Sequence, residues 1–132
     1  MKKGLLLFLP LLFMACQNAM TVDQVFWVSR GQYNNAKHGF DDVLVLDNAQ
    51  LQSCYQANSL LTSEEVIQKC KPILDKDTRD RAYQIILEAD SELKSMDELI
   101  SSGATTDQVF AEALGKIQSL TTRLLLAYQY RR

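Results

Sequence analysis

Between Ala82 and Ile100 the apolar residues Ala82, Ile86, Ala89, Leu93, Met96 and Ile100 step by four and three in alternation. That spacing puts them on one stripe of a helix. Phe110, Ala113, Ile117, Leu120, Leu124 and Ala127 repeat the alternation and predict a second helix. Gly103 is the expected C-cap of the first helix. Thr105-Thr106-Asp107-Gln108 reads as a capping box that opens the second. Neither helix can bury its stripe alone, and a short turn joins them, so the pattern predicts an antiparallel α-hairpin.

The pattern upstream is helical but less regular. Thr21-Val22-Asp23-Gln24 reads as a capping box, with Asp23 suited to the positive end of the helix dipole. Beyond it Tyr33, Phe40, Leu44, Leu51, Cys54 and Leu61 follow one seven-residue register, with Lys37, Asp47 and Asn58 as its polar members. Gly31 and Gly39 each cost about 1 kcal/mol relative to Ala inside a helix. One long helix and two helices broken near Gly39 therefore fit the pattern equally. Thr62-Ser63-Glu64-Glu65 starts a new helix with another capping box. The expected fold is all-α: a compact antiparallel bundle of three to five helices over 21–132, ending in the C-terminal hairpin. An extended coiled coil would also suit the stepping, but the short turns favour the bundle.

Composition changes this picture only at the N-terminus. A chain of 132 residues, 47% hydrophobic and 23% charged, is ordinary for a single globular domain. MKKGLLLFLPLLFMAC is not ordinary: two lysines lead an apolar run from Leu5 to Ala15, broken only by Pro10. It reads as a secretory leader, too short to be a membrane span, which needs about 20 apolar residues. Phe13-Met14-Ala15-Cys16 resembles a bacterial lipobox, although that family usually has Leu in place of Phe13 and a smaller residue in place of Met14. The resemblance implies that residues 1–15 are a signal peptide, that Cys16 is acylated, and that 16–20 form a short tether. Gln17 stands where an aspartate would retain an enteric lipoprotein in the inner membrane. The implied location is the periplasmic side of the outer membrane, held by acyl chains worth about 0.8 kcal/mol per buried CH₂.

With Cys16 assigned to lipid, Cys54 and Cys70 remain as an even pair in an oxidising compartment. Each lies eight residues from Thr62. If the chain reverses there, both cysteines sit roughly 12 Å from the turn, at one level of a helical hairpin. A disulfide closing that loop would stabilise by roughly 3 kcal/mol in the chain-entropy model. Two buried free thiols are the alternative. A metal site is disfavoured, because two cysteines and a distant His38 lack a ligand set.

No residue pattern in the sequence points to a catalytic residue, a metal or a cofactor. His38 with Asp41 and Asp42 can in principle gather an acid–base pair or a metal, but an exposed polar patch is the plainer reading. Nucleophile-elbow, nucleotide-loop and zinc-protease motifs are absent from the sequence. Asp75, Lys76, Asp77, Arg79, Asp80 and Arg81 form a mixed-charge run suited to a solvated helix start. Residues 16–132 carry 12 Lys and Arg against 16 Asp and Glu, a formal charge of −4, which argues against a nucleic-acid partner.

Two stretches are candidate interaction surfaces. Val25-Phe26-Trp27-Val28 is apolar on every side of a helix, and core packing can account for only one side. Phe26 and Trp27 are its candidates for contact with lipid headgroups or protein. The tail Tyr128-Gln129-Tyr130-Arg131-Arg132 places two aromatics, Tyr128 and Tyr130, before a cationic tip that suits the helix dipole.

Taken together, leader, lipobox, cysteine pair and size resemble the small helical lipoproteins of Gram-negative bacteria and of their tailed phages and prophages. The resemblance implies a non-enzymatic envelope factor with two partners, the membrane through acylated Cys16 and an unknown envelope protein. Superinfection exclusion by a phage lipoprotein is the first such role, and a pilotin-like assembly factor the alternative. A spanin-like lysis lipoprotein fits less well, since those subunits are shorter and proline-rich.

Overall fold

The computed structural model describes residues 21–104 and 106–129. The expected leader and lipidation site, residues 1–15 and Cys16, and Tyr130 of the tail lie outside the described residues. Among the described residues four helices form: α1 (Val22–Ala57), α2 (Ser63–Lys69), α3 (Lys76–Ser102) and α4 (Asp107–Gln129). The protein is an all-α helical bundle, and no strand occurs among the described residues.

Each start has a local cause. Thr21 accepts from the Gln24 N–H at 3.3 Å, and the Gln24 side chain accepts from the Thr21 N–H at 3.0 Å, completing the expected capping box. Glu65 accepts from the N–H and hydroxyl of Thr62 at 3.0 and 2.9 Å at the start of α2. Asp75 caps α3 by accepting from the Thr78 N–H at 2.7 Å. At the start of α4 Thr106 accepts from the Val109 N–H at 3.3 Å, and the Gln108 side-chain amide donates to Glu112 at 3.1 Å, while Thr105, the first residue of the expected capping box, lies outside the described residues. Gly103 ends α3 in the left-handed conformation, φ 65°, as expected of a glycine C-cap.

α1 is one unbroken helix of 36 residues, about 54 Å long, and does not break near Gly39. Its stripe of Phe26, Tyr33, Ala36, Phe40 and Val43 is buried, and that packing outweighs the poor helix propensity of two glycines. At Gly39 the missing side chain is itself required. A Cβ there would stand 2.5 Å from the Tyr128 hydroxyl oxygen, which donates to the Ala36 carbonyl at 2.9 Å.

α3 runs antiparallel to α1 and to α4, so α1 and α4 are parallel, and the main backbone contacts are α3 on α4 and α1 on α4. Ala82, Ile86, Ala89, Leu93 and Met96 of α3 meet Phe110, Ile117, Leu120 and Leu124 of α4 in the core. α1 and α3 stand farther apart and are bridged by long side chains. Arg30 pairs with Asp97, while Tyr33 and Lys37 both bond Asp90 at 2.8 Å. On its other flank α3 offers Glu92 to Lys116 and Glu88 to Arg123 of α4. α3 is thus acidic on both edges and its neighbours are basic where they face it, which fixes register more than stability, since each such exposed pair contributes about 0.2–1 kcal/mol.

Candidate functional site

Cys54 and Cys70 form a disulfide with Cα atoms 5.7 Å apart. The clip is built by the turn the sequence predicted. Asn58 ends α1, its N–H and side-chain amide both donating to the Cys54 carbonyl at 3.1 and 2.8 Å, and α2 then returns to the end of α1. No residue of α2 is buried. Beyond it, Asp47 reaches from the middle of α1 to accept from the Ile73 and Leu74 N–H groups at 2.7 and 3.5 Å. Asp47 is 1% exposed, and the Arg79 guanidinium lies 3.9 Å away. This polar member of the predicted register is therefore a buried clasp that pins the connection between α2 and α3 to α1.

The predicted surface aromatics separate. Trp27 is 59% exposed, whereas Phe26 and Tyr128 are buried at 1% and 5% and are corrected to core residues. Phe26 lies seven residues before Tyr33 on the same stripe, and Tyr128 lies four residues after Leu124. Extending the α1 register backward reaches Phe26, whereas the α4 stripe steps from Leu124 to Ala127 and passes Tyr128 by. Phe26 meets the Trp27 ring edge-on at 5.7 Å between centroids, and Tyr128 packs on Phe40 at 6.1 Å. Tyr33, buried and bonded to Asp90, has its pKa pushed well above the usual tyrosine value, chiefly by desolvation and then by that hydrogen bond.

The setting of Trp27 was not legible in the sequence. The Arg30 guanidinium lies 5.1 Å from the centre of the indole and donates to Asp97 on α3 at 3.2 and 2.9 Å. Buried Phe26 and paired Arg30 therefore hold the ring while its outer face is left uncovered. A groove of about 670 Å³ opens farther along, between α1 and α4. Gly39 and Tyr128 form its floor, and Gln32, Asn35, Gln118 and Gln129 supply its rim.

His38, Asp41 and Asp42 are all exposed on α1. Among the described residues, no group of three or more His, Cys, Asp and Glu is placed to hold a metal ion. No helix among them is long and apolar enough to cross a membrane. The described surface presents an oriented indole at one end, a neutral amide-rimmed groove, and a disulfide-clipped end where Leu60 is 99% exposed and Ile67 is also exposed. The chain matches no protein-family model, no curated protein and no solved structure.

Proposed function

We propose that this chain is a non-enzymatic lipoprotein of the bacterial envelope, held at the periplasmic side of the outer membrane by acyl chains on Cys16, whose bundle binds a second envelope protein. The observation that carries this reading is the placement of Cys16 directly behind a basic, apolar leader and five residues before the N-cap Thr21. The disulfide supports it, since such crosslinks persist in oxidising compartments. The far end of the molecule supports the binding role, because a crosslinked turn that exposes Leu60 and Ile67 offers apolar contact at little ordering cost. The resemblance to phage exclusion lipoproteins makes a receptor in the same membrane the first partner to test.

The test is acylation followed by capture. Cells fed an alkyne palmitate should label the protein through Cys16, and Cys16→Ser should abolish both the label and fractionation with the outer membrane. Photo-crosslinking from position 60 should then trap one defined envelope protein. An unmodified Cys16 in protein taken from its own envelope, or a cytosolic species that keeps the leader, would overturn the reading.

A further inference from the structure

We infer that the end of the bundle carrying the start of α1 seats on the bilayer surface, with the Trp27 indole in the headgroup region. This rests on the lipid tether at Cys16 and adds the face the bundle turns to the membrane. Because α1 and α4 are parallel and α3 is antiparallel to both, the first turns of α1 and α4 share one end with the last turn of α3. Val22, Trp27, Val28 and Val109 are exposed at that end.

The tether decides which surface can reach the membrane. From Cys16 to Thr21 the chain spans at most about 17 Å. Trp27 lies only about 9 Å farther along the helix, whereas the α1–α2 turn lies about 54 Å away. An acyl-anchored molecule therefore keeps the Trp27 end beside the bilayer, while the tether leaves the Leu60 end free to stand away from it. Indole suits that boundary, since it joins a large apolar ring to a single N–H donor. Its orientation is set in advance by Phe26 and by Arg30, whose guanidinium is engaged by Asp97. Asp23 and Asp107 occupy the first turns at this end, so the contact is apolar and dipolar rather than a cationic patch seeking anionic lipid.

Trp27 is the only tryptophan in the chain, so its fluorescence reports this surface alone. The acylated full chain, its Cys16 mass verified, is reconstituted in phosphatidylcholine vesicles and compared with Cys16→Ser protein in buffer. The expected result is a shift of emission to shorter wavelength, a several-fold loss of iodide quenching, and quenching by a nitroxide on the lipid headgroup. If the acylated protein floats with the vesicles while its emission and iodide access equal those of the Cys16→Ser protein, the seating is overturned and the lipoprotein reading stands. If mass spectrometry finds no acyl group on Cys16, both fall. A shift that appears without vesicles and grows with protein concentration assigns the surface to a second copy and overturns the proposal.

Discussion

Between Val22 and Phe40, α1 lies against α4 and is bridged to α3, and every buried position of its stripe faces another helix. From Val43 onward α1 faces the start of α3, where Arg79 lies beside Asp47, and the 58–75 segment. The first region is held by apolar area, with Phe26, Tyr33 and Phe40 among the most deeply buried side chains. The second buries Val43 and Leu74 at its edge with the core and otherwise rests on point attachments: the Cys54–Cys70 bond, the Asn58 cap and the Asp47 carboxylate. A segment too short to bury a stripe of its own needs such staples, and α2, at seven residues with none buried, is that case.

Substitutions should break the two regions in different ways. Phe40→Ala removes a fully buried ring from the level where the three long helices meet, and should lower global stability by about 3–5 kcal/mol in a urea titration. Asp47→Ala leaves the Ile73 and Leu74 N–H groups without their acceptor. It should cost about 2–3 kcal/mol, with the earliest loss of amide protection at those two residues rather than in the core.

The glycines sharpen the contrast within one helix. Gly39→Ala drives a methyl group into the Tyr128 hydroxyl and should destabilise by about 1–3 kcal/mol. The penalty should shrink in a Tyr128→Phe background, where the overlapping oxygen is gone, so the double-mutant cycle is non-additive. Gly31→Ala meets no atom within 4 Å and should stabilise by about 0.5–1 kcal/mol.

The smallest effects are those of pH, and they run in opposite directions. Tyr33 has a raised pKa in the fold, so its contribution is complete below the unfolded value of about 10 and is lost as pH rises through the folded value. Alkali should therefore loosen the contact between α1 and α3. Glu65 has a lowered pKa, because the Thr62 N–H and hydroxyl bond its carboxylate. Its contribution is present above the ordinary glutamate value and lost as pH falls through the folded one, so acid should fray α2. An NMR titration of the Glu65 carboxyl carbon, followed alongside the α2 amides, checks the second, and near-ultraviolet absorbance of tyrosine against pH checks the first.

The three-helix region was largely legible because its signal is periodic. The α3 and α4 stripes and the Gly103 cap follow from spacing, while the Cys54–Cys70 pairing needed both the spacing about Thr62 and the assignment of Cys16 to lipid. The register of α1 named Tyr33 and Phe40 correctly but continued through Leu51 and Leu61, which are only half-buried, because no local pattern says where α4 stops. Contacts set by tertiary approach left no such mark: Gly39 under Tyr128, Arg30 between Trp27 and Asp97, and Asp47 on the 73–74 backbone each join residues far apart in the chain. Among the expected surface aromatics, only the exposure of Trp27 matches among the described residues. A helix apolar on all sides hides which side faces inward until its partners are placed.

Residues 58–72 form a unit held by staples and separable from the bundle. Hydrogen exchange of the full chain, with the disulfide intact and after reduction, tests it most directly. The predicted result is that reduction strips protection from residues 58–72 while Phe26 to Phe40, Ala82 to Met96 and Phe110 to Leu124 keep theirs. Equal loss of protection across all three long helices would contradict it.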